Sequence, residues 1–119
     1  MTVDIAADNY WTLYVNGQEV QSGEGWAEAT RVPVGKWLAK GRNVIAVKAR
    51  NAGGPAGVLV RALMGPGDRA VEIDSNAGWR ASREGPDGWT TPDFDDSAWP
   101  PAVSFGPPPT GPWGQVRLP

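Results

Sequence analysis

The 119-residue chain contains neither cysteine nor histidine. Without cysteine there is no disulfide, no thiol nucleophile and no thiolate metal site. Without histidine the commonest general base and transition-metal ligand is missing. Ser-His and Cys-His hydrolysis are thereby excluded. Basic charge is scarce as well: 11 Lys and Arg against 13 Asp and Glu give a net charge of −2. No cationic stripe is at hand to neutralise phosphates, so nucleic acid is not an expected partner. No apolar run approaches the ~18 residues needed to span a bilayer, and the N-terminal residues carry no signal-peptide-like apolar segment. What remains is a supply of carboxylate, amide and main-chain oxygen, suited to hard cations such as calcium.

Sixteen Gly and twelve Pro come close to the level that warns of disorder. Seven Trp and repeated β-branched runs argue the other way, because they supply the burial that disordered chains lack. The expectation is one loop-rich all-β domain over residues 1–119. "TVDIAA" and "YWTLYV" read as strands on either side of Asp8-Asn9. In the second, Trp11, Leu13 and Val15 share one face, and Tyr10, Thr12 and Tyr14 the other. Asn16-Gly17 follows at once, the strongest short hairpin signal, since a type I′ turn needs positive φ at both positions. "QEVQS", "WAEATRV", "NVIAVKAR", "VLVRALM" and "AVEID" bring the count to about seven short strands before residue 75, a spacing typical of sandwiches. "VGKWLAKG" is too short for a helix and reads as a single turn. From residue 75 onward Trp79, Trp89, Trp99 and Trp113 sit among Gly- and Pro-rich turns. This stretch reads as an irregular tail wrapped on the domain, with a polyproline-like "GPPPTGPWG" near its end.

Taken together, "ADNYWTLYVNGQEV", "RNVIAVKARNAGGPAG" and "GWTTPDFDDSAW" resemble the galactose-binding-like jelly-roll domains. The nearest functional likeness is to the calcium-dependent, rhamnose-binding carbohydrate-binding module of α-L-rhamnosidases. The resemblance implies a single β-sandwich with a Pro/Gly/Trp-rich wrapping segment at residues 75–119. It also implies calcium ligands at Asp8, Asn9, Asn51 and the carbonyl of Pro55. One departure stands out: such domains carry one or two strands before the A-D-N stretch, and here seven residues precede Asp8. Either the tail supplies those strands, or a sheet edge is open to a partner chain.

The residues themselves leave alternatives open. Asp8 and Asn9 suit an oxygen-coordinated cation, and equally an Asx-type turn, with Asn51 left-handed to leave its strand. "NAGGPAG", residues 51–57, either bares its backbone to a ligand or merely connects two strands. Tyr10 and Trp26 are candidate stacking platforms for the apolar face of a pyranose, whereas the tail Trp read mainly as packing. Asp87, Asp93, Asp95 and Asp96 suggest paired catalytic carboxylates, but "PDFDDSAW" reads better as a turn in which Asp93 or Asp95 caps Ser97 and Ala98. Nothing in the sequence supports catalysis. The leading expectation is a non-catalytic, lectin-like sugar-binding domain, extracellular or particle-associated and part of a larger protein. Its alternative is a structural domain of a virion, appendage or cell surface that self-associates through an open sheet edge.

Overall fold

The computed structural model describes residues 1–52, 57–65 and 71–104. Five antiparallel strands carry the fold: β1 (Thr2–Val15), β2 (Gln18–Pro33), β3 (Ile45–Arg50), β4 (Gly57–Met64) and β5 (Val71–Asp74). Their order is β2-β1-β4-β5, with β3 also paired to β1. The expected first two strands are thus one, and so are the next two. The ladder between β1 and β2 runs through the Asp8-Asn9 and Gly23-Gly25 stretches with register shifts instead of stopping there. Because the partner strand continues, polar and glycine residues that would end an isolated strand here only bend it. A straight 16-residue strand would run about 50 Å, longer than the 38 Å of the longest principal axis. Both long strands must therefore curl.

The inward face of β1 follows the expected alternation. Val3, Ile5, Ala7, Trp11, Leu13 and Val15 pack with Val32, Val34, Val60 and Ala62 in one core. Residues from both halves of β1 meet in that core, as in a sandwich in which one strand serves two layers. On the opposite face, Tyr14 meets the Trp89 ring edge-on at 5.7 Å, and Trp89, Trp99 and Phe94 form a connected aromatic group. Trp79 packs against the core. Up to residue 104 the tail is thus wrapped on the domain as expected; "GPPPTGPWG" lies outside the described residues. Asp95 caps its turn by accepting from Ser97 N–H at 3.0 Å, and the Ser97 hydroxyl first and this N–H second hold its carboxyl below the usual range.

The Asn16-Gly17 hairpin turn forms as read, with φ of 50° and 84°. Asn16 does more than turn the chain. Its Nδ2 donates to the Trp37 carbonyl at 3.0 Å, and its Oδ1 accepts from Val44 N–H at 2.9 Å, so it fastens the 3-10 turn at Gly35–Trp37 to the start of β3. Asn16→Ala is expected to cost about 1–3 kcal/mol, because these two bonds and a third, from Nδ2 to Asn43 Oδ1 at 2.8 Å, all go and a part-buried carbonyl loses its donor. Urea unfolding measures this, and a loss below about 0.5 kcal/mol contradicts the hub role.

One row of charges crosses the sheet. Asp4 lies in register with Arg31 of β2 and Arg61 of β4, and Arg61 with Asp74 of β5. Asp4 is 1% exposed. Burial alone pushes its carboxyl up, but hydrogen bonds and charge from Arg31 and Arg61 outweigh that and hold it below its ordinary 3.8. A depressed carboxyl contributes stability that is complete above the unfolded value and lost as pH falls through the folded one. The wild-type chain is therefore expected to lose stability below about pH 3.8, and Asp4→Asn to flatten that part of an acid titration followed by circular dichroism.

Among the described residues no strand pairs with the outer edges of β2, β3 or β5, and no helix is long and apolar enough to cross a membrane.

Candidate functional site

The edge of β1 facing away from β2 changes partner halfway along. Thr2 to Asp8 pair with β4, ending at Asp8 opposite Gly57. Tyr10 to Val15 pair with β3, beginning at Tyr10 opposite Arg50. Asn9 stands in the gap, joined to Asp8 by a cis peptide bond, and has no partner in either ladder. Its side chain fills the role: Oδ1 accepts from Ala52 N–H at 2.6 Å, which ties the exit of β3 to the junction. The Asp8-Asn9 turn and the first residues of the 51–57 connection are therefore neighbours in space. Asn51, one residue before this contact, is exposed.

Two expectations for these residues change. Asp8-Asn9 is not a turn between separate strands but a bend inside one, held by pairing on both sides. Asn51 is not left-handed, since Asn16 is the one non-glycine residue with positive φ among those described. Pro55 lies outside the described residues.

Tyr10 is 36% exposed, and the Arg50 guanidinium lies 4.6 Å from its ring centroid. The cation occupies one ring face, and only about a third of the residue is open to solvent. On its other side Tyr10 stands in register with Glu24, while Ala7 pairs with Gly25. Trp26 follows directly and is 43% exposed. Thus Asp8, Asn9, Tyr10 and Asn51 gather on the β3/β4 side of β1, whereas Trp26 stands across it, on β2. The sequence reading missed Arg50 and Glu24 as neighbours of Tyr10. Arg50 ends β3 forty residues on from Tyr10, and only the cross-strand register supplies the pairing.

Chemically the junction offers oxygen. Asp8 brings a carboxylate, Asn9 and Asn51 bring amides, and no cluster of three or more Asp, Glu, His or Cys side chains exists among the described residues. An amide oxygen carries two lone pairs, so the Ala52 contact leaves Asn9 able to accept again. A hard cation fits this donor set, with the shortfall in charge made up by carbonyls or ligand hydroxyls.

No family model matches the sequence. The chain is 37% identical over 123 residues to an α-L-rhamnosidase of Streptomyces avermitilis, covering 97% of this chain and 12% of that protein. The crystal structure of that organism's α-L-rhamnosidase with L-rhamnose superposes at a TM-score of 0.83 and 36% identity, over 98% of this chain and 12% of the other. A lectin from Pleurotus ostreatus in its apo form gives a TM-score of 0.85 at 36% identity, over 98% of this chain and 34% of the lectin. The fold is that of a lectin-like β-sandwich. The lectin from the same fungus in complex with GalNAc agrees, at 0.81 and 25% identity over 99% of this chain and 36% of the other. This lectin-like β-sandwich thus spans about 12% of the curated enzyme it matches. The likeness read from the sequence, to the rhamnosidase-associated sugar-binding modules, has its counterpart in these neighbours.

Proposed function

We propose that the chain is a non-catalytic carbohydrate-binding module, and that its sugar sits at the β1 junction. The observation that carries this reading is the Asn9–Ala52 hydrogen bond, which draws the exit of β3 onto the Asp8-Asn9 bend. Asp8, Asn9 and Asn51 would hold a calcium ion, with Pro55 as a further carbonyl ligand. The ion would present a positive charge to the hydroxyls of a bound sugar. Tyr10 would contact the sugar's apolar face, its ring steadied by Arg50, and Trp26 would do so from the β2 side. The rhamnosidase complexed with L-rhamnose and the lectin complexed with GalNAc support carbohydrate as the ligand class. An extracellular or particle-bound setting within a larger protein agrees with that role.

Isothermal titration with L-rhamnose and GalNAc, in calcium and in EDTA, is the test. Binding in calcium that disappears in EDTA is expected, and Asn51→Ala should weaken it roughly tenfold or more, the value of one charge-assisted contact. Silence with both sugars in calcium would remove the reading.

A second reading, self-association, has its own observation. Val71 and Ile73 of β5 are 60% and 44% exposed, yet they stand opposite Met64 and Ala62 on the core side of β4. An apolar strip thus runs to an open sheet edge. Light scattering at high concentration decides this: a strict monomer excludes it.

A further inference from the structure

Between β3 and the tail lies a cleft of about 620 Å³, within the range of small-ligand sites. It shares none of the junction's proposed ligands. Trp79, Trp89 and Trp99, ten residues apart in sequence, all line it, and all three are half-buried. Its wall is ordered by the chain itself. Arg80 and Pro101 pair as an isolated bridge, Ala102 N–H donates to the Trp79 carbonyl at 2.8 Å and Ala81 N–H to the Pro100 carbonyl at 3.0 Å. Arg80 Nη1 donates to the Trp99 carbonyl at 3.1 Å. Lys48, Arg83, Glu84 and Asp96 complete the lining, and none of the four enters an ion pair among the described residues.

This mixture selects a ligand class. Lys48, Arg83, Glu84 and Asp96 are all exposed, and an apolar ligand would make use of none of them. A phosphate or other anion would meet Lys48 and Arg83 but also Glu84 and Asp96. A hydroxylated ring matches all of it: each hydroxyl both donates and accepts, the cations donate, the carboxylates accept, and the Trp rings meet C–H faces. We propose that the cleft is a second saccharide-binding site that works without a metal. Its floor begins beside the junction, since Gly57, which pairs with Asp8, is part of the lining. The proposal rests on the carbohydrate reading for its ligand class, but on different residues.

The test is a titration of the full chain in EDTA with cellotriose, maltotriose and β-1,4-galactotriose, followed by indole and amide NMR shifts. At least one trisaccharide is expected to saturate, with shifts at Trp79, Trp99 and Lys48. The double variant Lys48→Ala/Arg83→Ala should weaken it roughly tenfold or more without lowering the melting temperature. If that variant melts early, Glu84→Gln, an exposed and near-isosteric change, takes its place with the same expectation. The proposal is overturned if none of the three shifts these residues, if shifts are confined to residues 8–10 and 51–52, or if the substituted chain binds as tightly as wild type. EDTA silences the calcium-dependent junction, so failure of either site is seen separately.

Discussion

Replacing Asp4 with asparagine is expected to cost the fold about 3 kcal/mol. The carboxylate is 1% exposed and receives four donors. Arg31 Nε reaches Oδ1 at 2.8 Å and its Nη2 reaches Oδ2 at 3.0 Å, while Arg61 Nε and Nη2 both reach Oδ2, at 3.1 and 2.6 Å. Asparagine keeps the shape but removes the charge and turns an amide N–H₂ toward a guanidinium. Two cations are then left side by side on the sheet. Removing one member of a buried ion pair costs about 3–5 kcal/mol. Arg31 and Arg61 retain 40% and 25% of their side-chain exposure, so water relieves part of that and the low end applies. Arg31→Met should cost less, because Asp4 keeps Arg61. Urea unfolding of the single and double variants closes a cycle whose coupling term measures the pair. A loss below about 1 kcal/mol for Asp4→Asn would mean that water already does the arginines' work.

The second large effect is expected from adding a single methyl group. Gly23 stands opposite Trp11 in the β1–β2 ladder, and a Cβ at Gly23 would lie 2.6 Å from Trp11 Cζ2 and 2.9 Å from Cε2. No carbon tolerates that approach, and Trp11, 2% exposed within the core, has nowhere to retreat. Overpacking of a well-filled core costs about 1–3 kcal/mol, and Gly23→Ala is expected toward the upper end. Near-UV circular dichroism should report the displaced indole and urea unfolding the lost stability. Adding Trp11→Phe to the alanine variant should return part of the lost stability, because the clashing ring atoms are gone. An alanine variant as stable as wild type, with an unchanged near-UV spectrum, would mean that the strands part easily here.

What the sequence disclosed follows the range of the interactions. The Asn16-Gly17 turn and the Trp11–Leu13–Val15 face were legible because both are written in adjacent or alternating residues. Strand ends were misjudged where Asp8-Asn9 and the Gly23-Gly25 stretch look like breaks, because continuity there comes from the partner strand. The Arg31–Asp4–Arg61 row was invisible for a similar reason. Its members lie 27 and 57 residues from Asp4, and only register joins them. Of the candidate site, Asp8, Asn9 and Asn51 were named through resemblance, and Tyr10 as the aromatic residue flanking Asp8-Asn9. Arg50 and Glu24 needed the pairing table of the folded sheet. Trp79, Trp89 and Trp99 pack against the core, Tyr14 and Phe94, but the cleft they line depends on how the tail crosses β3, which no local pattern encodes.

The change of partner along β1 has a further consequence. Arg50 and Gly57 are clipped to Tyr10 and Asp8, two residues apart on the same strand. The sandwich therefore fixes the two posts and is indifferent to the length strung between them. Doubling a loop costs only about 0.6 kcal/mol in closure entropy, well below the few kcal/mol that the core and the Asp4 row supply. Beyond Ala52, which Asn9 holds, the connection is thus an exchangeable cassette. Transplanting connections of other lengths between the same posts would yield a set of chains with one common frame and different rims, a practical route to new specificities.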